Sequence, residues 1–177
     1  MDTARIEALG LAPLAEELAR IDAISTPRDV ARYIGHGQRI GVKHPFTWFS
    51  SPDSKNSTVY LGSLYQQGLT MPDRDYYLSP DEKYAKFRSA FATYAENLLA
   101  RAGVRNAQSA AARIASLETR IANYQWTKTQ NRDPVKTYNP MELPEYQKLA
   151  PGFDWLAFFE GMGAPAQKLD VGQPPFI

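Results

Sequence analysis

Ser79-Pro80-Asp81-Glu82-Lys83-Tyr84-Ala85-Lys86-Phe87-Arg88-Ser89-Ala90-Phe91, running on through Tyr94 and Leu98 to Gly103, decides the fold class. Ser79 and Glu82 have the S-x-x-E spacing of a capping box, with Pro80 at the first turn, so a helix is predicted to start at Ser79. Tyr84, Phe87, Phe91, Tyr94 and Leu98 then recur at alternating steps of three and four, and Gly103 supplies a left-handed stop. A second stripe, Ala107, Ala110, Ile114, Leu117, Ile121 and Tyr124, predicts another helix from about Asn106 to Tyr124. The short link between them favours an antiparallel pair. Both stripes read as helix-on-helix core, with an aromatic ligand groove as the lesser alternative.

Working outward, Leu11, Leu14, Leu18 and Ile21 form one stripe of an amphipathic helix, set off from Ile6–Leu9 by Gly10. Thr26, Pro27 and Asp29 suit the cap, first position and first turn of a helix carrying Val30, Tyr33 and Ile34. Gly35, Gly37 and Gly41 are expected to weaken and end it, which puts His36 and His44 in loops. Phe46, Trp48 and Phe49, the turn formers Pro52–Ser57, and Thr58-Val59-Tyr60-Leu61 predict a β-hairpin, about 46–51 with 58–66, as the only sheet. Short helices are expected after Asn139-Pro140 and after Asp154. The class is therefore mainly α, with antiparallel helix pairs and one β-hairpin at about 46–66. Gly172–Ile177 shows no helix signal and stops on an apolar pair, where a finished domain more often ends in polar residues.

Composition narrows the chemistry. The 177 residues carry 20 Lys+Arg against 19 Asp+Glu, and basic residues alternate with acids, which argues against a nucleic-acid binder. No run approaches the roughly 18 apolar residues of a membrane span, and no signal peptide opens the chain. Without cysteine there is no disulfide scaffold and no thiol chemistry. The two histidines are not spaced as H-E-x-x-H and lack a third partner, so they make no zinc site. Gly62-Ser63 is no nucleophile elbow, and Gly35–Ile40 is no dinucleotide fingerprint. Asp73 and Asp75 flank Arg74. A two-carboxylate acid/base pair is conceivable there, but a turn capped by aspartates, with Arg74 as local ion-pair partner, is the better reading.

Four segments carry a family resemblance. Gly68-Leu69-Thr70-Met71-Pro72-Asp73-Arg74-Asp75-Tyr76-Tyr77 resembles the G-L-x-x-P-x-R-D-Y-Y segment of the neprilysin-like zinc metallopeptidases, which include endothelin-converting enzymes and bacterial oligopeptidases. Asp53-Ser54-Lys55-Asn56-Ser57 resembles the preceding D-x-K-N-S turn. Arg132-Asp133-Pro134 with Tyr138-Asn139 resembles the later R-D-P-x-x-x-Y-N stretch, and Pro151–Trp155 resembles the bacterial P-x-F-x-W segment. Order and spacing agree over residues 1–177.

The resemblance implies a chain longer than this one. Family members hold zinc through H-E-x-x-H, a downstream E-x-x-x-D and a further histidine, and cut peptide bonds with a zinc-bound water and a glutamate base. None of these motifs occurs here, and Met1 falls inside the family's chain. The implied reading is a partial helical domain, residues 1–177, forming the cap over the peptide chamber and non-catalytic by itself. No catalytic or metal residue carries over, and no substrate-binding residue is assigned. Asp53, Lys55, Asn56, Gly68, Pro72, Arg74, Asp75, Tyr76, Tyr77, Arg132, Asp133, Pro134, Tyr138 and Asn139 are expected to be structural, with Arg74 and Arg132 as ion-pair partners of nearby acids. The implied cofactor is zinc, held by the parent enzyme only. The implied partners are a catalytic domain in the same polypeptide and oligopeptide substrates, and the compartment is periplasmic, cell-surface or secreted. Lack of cysteine fits a bacterial relative. The alternative is a naturally truncated, non-catalytic binding module using an aromatic surface around Trp48, Tyr60 and Tyr65.

Overall fold

A computed structural model describes residues 2–164 and 168–177. The elements in order are α1 (Thr3–Leu9), α2 (Ala15–Asp22), α3 (Pro27–Ile40), β1 (Phe46–Asp53), β2 (Asn56–Gln66), α4 (Asp75–Leu78), α5 (Glu82–Arg101), α6 (Ala107–Tyr124), β3 (Pro140–Glu142), α7 (Leu143–Leu149), α8 (Trp155–Met162) and β4 (Lys168–Val171). The mainly helical class stands.

Two cores organise the chain. The first gathers Ile34, Phe46, Leu64, Tyr146, Trp155, Phe158, Phe159, Leu169 and Val171 between α3, α7, α8 and the sheet. The second gathers Leu69, Met71, Tyr77, Phe91, Ala95, Ala111 and Ala122 between α4, α5 and α6. Aromatic rings dominate the first: Trp155 lies 5.2 Å from Tyr146 and 4.8 Å from Phe153, both edge-on, a favoured arrangement for ring quadrupoles.

The hairpin forms where expected, with its strands extended to Asp53 and from Asn56. It does not stand alone. Among the described residues the sheet has four strands in the order β1-β2-β4-β3, with β4 parallel to β2 and antiparallel to β3. The added strands have three and four residues, too few for an alternation to announce them. They form because Leu169 and Val171 enter the first core and Asn139 fastens the strand backbone.

Three local expectations are corrected. Helix α5 starts at Glu82 with Asp81 as its cap, accepting from the Lys83 amide; Ser79 instead accepts from the Asp81 amide. Helix α3, capped by Thr26 and Asp29 as a box, runs through Gly35 and Gly37 and ends only at Gly41, which is left-handed at φ 76°. His36 therefore lies in a helix. Gly35 is a packing residue: a Cβ there would sit 2.0 Å from the Phe158 carbonyl oxygen, and one at Gly161 would sit 2.0 Å from that of Arg32. The two glycines let α3 and α8 cross backbone to backbone. The third correction concerns the stripes. Phe91 and Ala95 are buried, as are Ala110, Ala111 and Ala122, whereas Phe87, Tyr94, Leu98, Leu117 and Tyr124 are exposed. Leu11, Leu14, Leu18 and Ile21 are exposed as well. Phe176 and Ile177 pack on the first core, from a short 3-10 turn over Pro174–Phe176.

Candidate functional site

The residues of the motif segments, distant in sequence, meet in two places. At the hairpin tip, the Asp53 carboxylate accepts from the Lys55 amide at 2.9 Å and from the Tyr138 hydroxyl at 2.9 Å. The Lys55 ammonium lies over the Tyr138 ring, 4.4 Å from its centroid. The amide of Lys55 above all, and then the Tyr138 hydroxyl, outweigh burial and hold the Asp53 carboxyl below its ordinary value. Asn56 closes the turn by accepting from the Thr58 amide and hydroxyl. Opposite, Asp133 accepts from the amides of Val135 and Lys136, a turn geometry natural to aspartate. Asn139 donates from its side chain to the carbonyls of Lys136 and Val171, while its amide donates to Asp170 at 2.7 Å. A cleft of about 240 Å³ lies between them, lined by Asp53, Ser63, Tyr65, Pro134, Tyr138 and Asp170. Burial pushes the Asp170 carboxyl up.

The second place is the turn from Gly68 to Tyr77. Gly68 is left-handed at φ 94°, and a Cβ on it would come 2.5 Å from Cα of Pro45. Leu69 and Met71 face the second core and Pro72 is exposed. Asp73 accepts from the Asp75 amide at 2.8 Å and pairs with Lys128 at 2.6 Å. Burial works to raise the Asp73 carboxyl, but the Lys128 ammonium and the backbone amides overcome it, and the carboxyl ends below its ordinary value. Tyr76 packs on Tyr84 and Phe87, each 5.1 Å away. The Tyr77 hydroxyl donates to Glu118 and accepts from the Met71 amide. A cavity of about 330 Å³ opens beside this turn, lined by Gly68, Pro72, Arg74, Trp126, Lys128 and Asn131 among others.

Among the described residues, neither arginine expected to pair with an acid joins a salt bridge. Arg74 turns its Nε to the Ala122 carbonyl at 3.2 Å, stitching the turn to α6. Arg132 is exposed and joins no salt bridge among the described residues. Nor do Trp48, Tyr60 and Tyr65 make one aromatic surface. Trp48 packs on the first core, Tyr65 lies against Gly172 and Phe49, and Tyr60 alone of the three is exposed.

Sequence reasoning missed the glutamines that join the two cores. Gln66 exchanges hydrogen bonds with the backbone of Trp126 at 2.7 and 3.0 Å. Gln125 donates to the Gln67 carbonyl. Gln173, almost wholly buried, accepts from the Gln66 amide and donates to Asn131. Single glutamines carry no periodic signal, so nothing in the sequence marks them.

Chemically, the arrangement fixes turns and fastens elements. The carboxylates Asp53, Asp73 and Asp133 are spent on backbone amides, and among the described residues no group of three His, Asp or Glu could hold a metal ion. No described helix is long and apolar enough to cross a membrane.

Comparison with known proteins agrees with the family resemblance. Endothelin-converting enzyme-like 1 of Rattus norvegicus is 34% identical over 112 residues, 62% of this chain and 14% of its own length. Endothelin-converting enzyme 1 of Bos taurus is 29% identical over 176 residues, 94% of this chain and 23% of its own. The zinc metalloprotease ZMP1 of Mycobacterium tuberculosis, in its open state, superposes with a TM-score of 0.91 at 31% identity, covering 99% of this chain and 28% of that one. PepO of Lactobacillus rhamnosis shares the fold at a TM-score of 0.75 and 18% identity. The chain thus spans a quarter or less of the curated relatives it matches. A family model for the amino-terminal part, described as Peptidase family M13, matches residues 1–177, and the chain belongs to that family.

Proposed function

We propose that residues 1–177 serve a zinc metalloendopeptidase that hydrolyses oligopeptides, as part of the helical cap over its peptide chamber, and contribute no catalytic group. The observation that carries this reading is the superposition on the M. tuberculosis zinc metalloprotease: nearly all of this chain matches little more than a quarter of that enzyme. A cap works by restricting access, which requires rigid walls. The motif residues Asp53, Asn56, Asp133 and Asn139 supply such rigidity by tying turns to their own backbone and to distant strands. The partner is a catalytic domain of the same polypeptide, which holds the zinc, and the compartment is periplasmic, cell-surface or secreted.

The test is an exchange. This chain replaces the matching segment of the M. tuberculosis enzyme, and zinc content and oligopeptide hydrolysis are measured for the chimera and for this chain alone. The chimera is expected to bind zinc and cut peptides, and the isolated chain to do neither. A chimera that folds and holds zinc yet leaves peptides intact would overturn the cap role. Zinc retained at one equivalent by the dialysed chain would overturn the non-catalytic reading.

A further inference from the structure

His44 is a buried titratable group that none of the above uses. Its Nε2 is shielded from solvent and has no hydrogen-bond partner among the described residues. The ring fits only because residue 37 is glycine: a Cβ there would lie 1.8 Å from Nε2. Tyr33 closes the pocket edge-on, its ring 5.9 Å away. The groups facing His44 are Tyr33 and His36 on α3, with Glu17 of α2 hydrogen-bonded to His36 at 3.0 Å, and Lys43 beside it in the chain. No carboxylate among its described contacts reaches the imidazole, and His36 is a potential like charge.

The position is also mechanically central. The segment Gly41–Pro45 leaves α3 through the Val42 amide, which donates to the Gly37 carbonyl at 2.9 Å. It then passes under the Gly68 turn, where His44 O and Pro45 Cα occupy the space a side chain on residue 68 would need. The Gln67 amide donates to the Pro45 carbonyl at 2.7 Å. One segment thus connects α3 with the turn that opens the Gly68–Tyr77 motif.

We propose that His44 is an acid-sensitive wedge: protonation of its imidazole, whose Nε2 faces no acceptor, expels the ring from the Gly37 pocket and unseats Gly41–Pro45, loosening the Gly68 turn. An imidazolium in this pocket would be desolvated and would hold its Nε2–H without an acceptor, so the proton binds the open form. In keeping with this, burial first, and His36 second, hold the imidazole below the ordinary histidine range. The sign follows: the closed form is favoured above the ordinary value near 6.5 and loses ground as pH falls below it.

The experiment uses the whole chain. Amide exchange of residues 41–44 and 66–70, corrected for intrinsic rates, is measured at pH 7.5 and 5.5 for wild type, His44→Leu and His36→Gln. The opening equilibrium of the wild type is expected to rise about tenfold at pH 5.5, the factor set by an open-form histidine near 6.5. His44→Leu should lose that rise and His36→Gln should keep it. The same rise in His44→Leu would overturn the proposal. Should His44→Leu not fold, the wild-type His44 Cε1 proton resonance decides. It should move to the charged position only as an open form grows in, and a titration near 6.5 within the intact closed form would refute the wedge.

Discussion

The Tyr77 hydroxyl donates to the Glu118 carboxylate across 41 residues of sequence, fastening the R-D-Y-Y turn to α6. Glu118 is buried, and it also accepts from the amide of Thr70 at 3.0 Å and the hydroxyl of Thr70 at 2.7 Å. Burial first, and Glu118 second, push the Tyr77 phenol well above its ordinary value, so the hydroxyl keeps its proton and remains a donor throughout the accessible pH range. Glu118→Ala strands the buried Tyr77 hydroxyl and takes the acceptor from the amide and hydroxyl of Thr70, an exposed residue. It is expected to cost about 3 kcal/mol in denaturant unfolding, since each buried unsatisfied group costs about 1–3 kcal/mol. Tyr77→Phe leaves the Thr70 bonds in place and should cost about half as much. Equal stability of wild type and Glu118→Ala would show that the network contributes nothing.

Gly35 and Gly161 set the distance between α3 and α8. Each faces a carbonyl oxygen of the opposite helix, at 2.0 Å from the position its Cβ would take. A methyl group at either site must move backbone, and overpacking of this kind costs about 1–3 kcal/mol or more. Gly35→Ala and Gly161→Ala should each lower the denaturation midpoint by that equivalent. Gly152→Ala, where a Cβ meets nothing within 4 Å, should not.

The hairpin tip should lose order in acid. Asp53 is held below its ordinary value chiefly by the Lys55 amide, so its contribution is present above the unfolded-state value near 3.8 and disappears as pH falls through the lower folded-state value. Ring-current shifts of the Lys55 side-chain protons, which report its place over Tyr138, should therefore persist at neutral pH and collapse below about 3.8. Tyr138→Phe removes one of the bonds that hold the carboxylate, so the same collapse should begin at higher pH. An unchanged titration in Tyr138→Phe would show that the hydroxyl does not act on Asp53.

These relationships mark what a sequence can and cannot disclose. The helix pair α5–α6 and the hairpin were legible because each repeats its period over several turns or residues. Strands β3 and β4 were not, because their pairing depends on Asn139 and on burial of Leu169 and Val171, both consequences of the tertiary fold. In the sequence the glycines of α3 have the look of breaks. Conformational freedom and close approach ask for the same residue, and only the neighbouring helix distinguishes them. Among motif residues, aspartate and asparagine turns were legible from side-chain chemistry, whereas Arg74's choice of the Ala122 carbonyl over an acid was not. That choice depends on where α6 ends.

The α5 stripe tests the remaining gap, between the period of a pattern and its occupancy. Phe91 is 8% exposed and packs among Tyr77, Ala95 and Ala111, while Tyr94, one turn on, is 58% exposed. Helical spacing alone assigns both to the core. Burial assigns them differently, because the three- and four-residue steps of the stripe drift around the helix and α6 covers only part of it. Phe91→Ala should cost about 3–5 kcal/mol, through lost burial and the cavity left behind. Tyr94→Ala should stay within about 0.5 kcal/mol, as for other exposed positions, with alanine's helix propensity compensating for lost surface contacts. The comparison is a pair of denaturation curves on the isolated chain. A large loss at Tyr94 would mean that its face is covered in solution, and the sedimentation coefficient of the wild type would then have to show self-association.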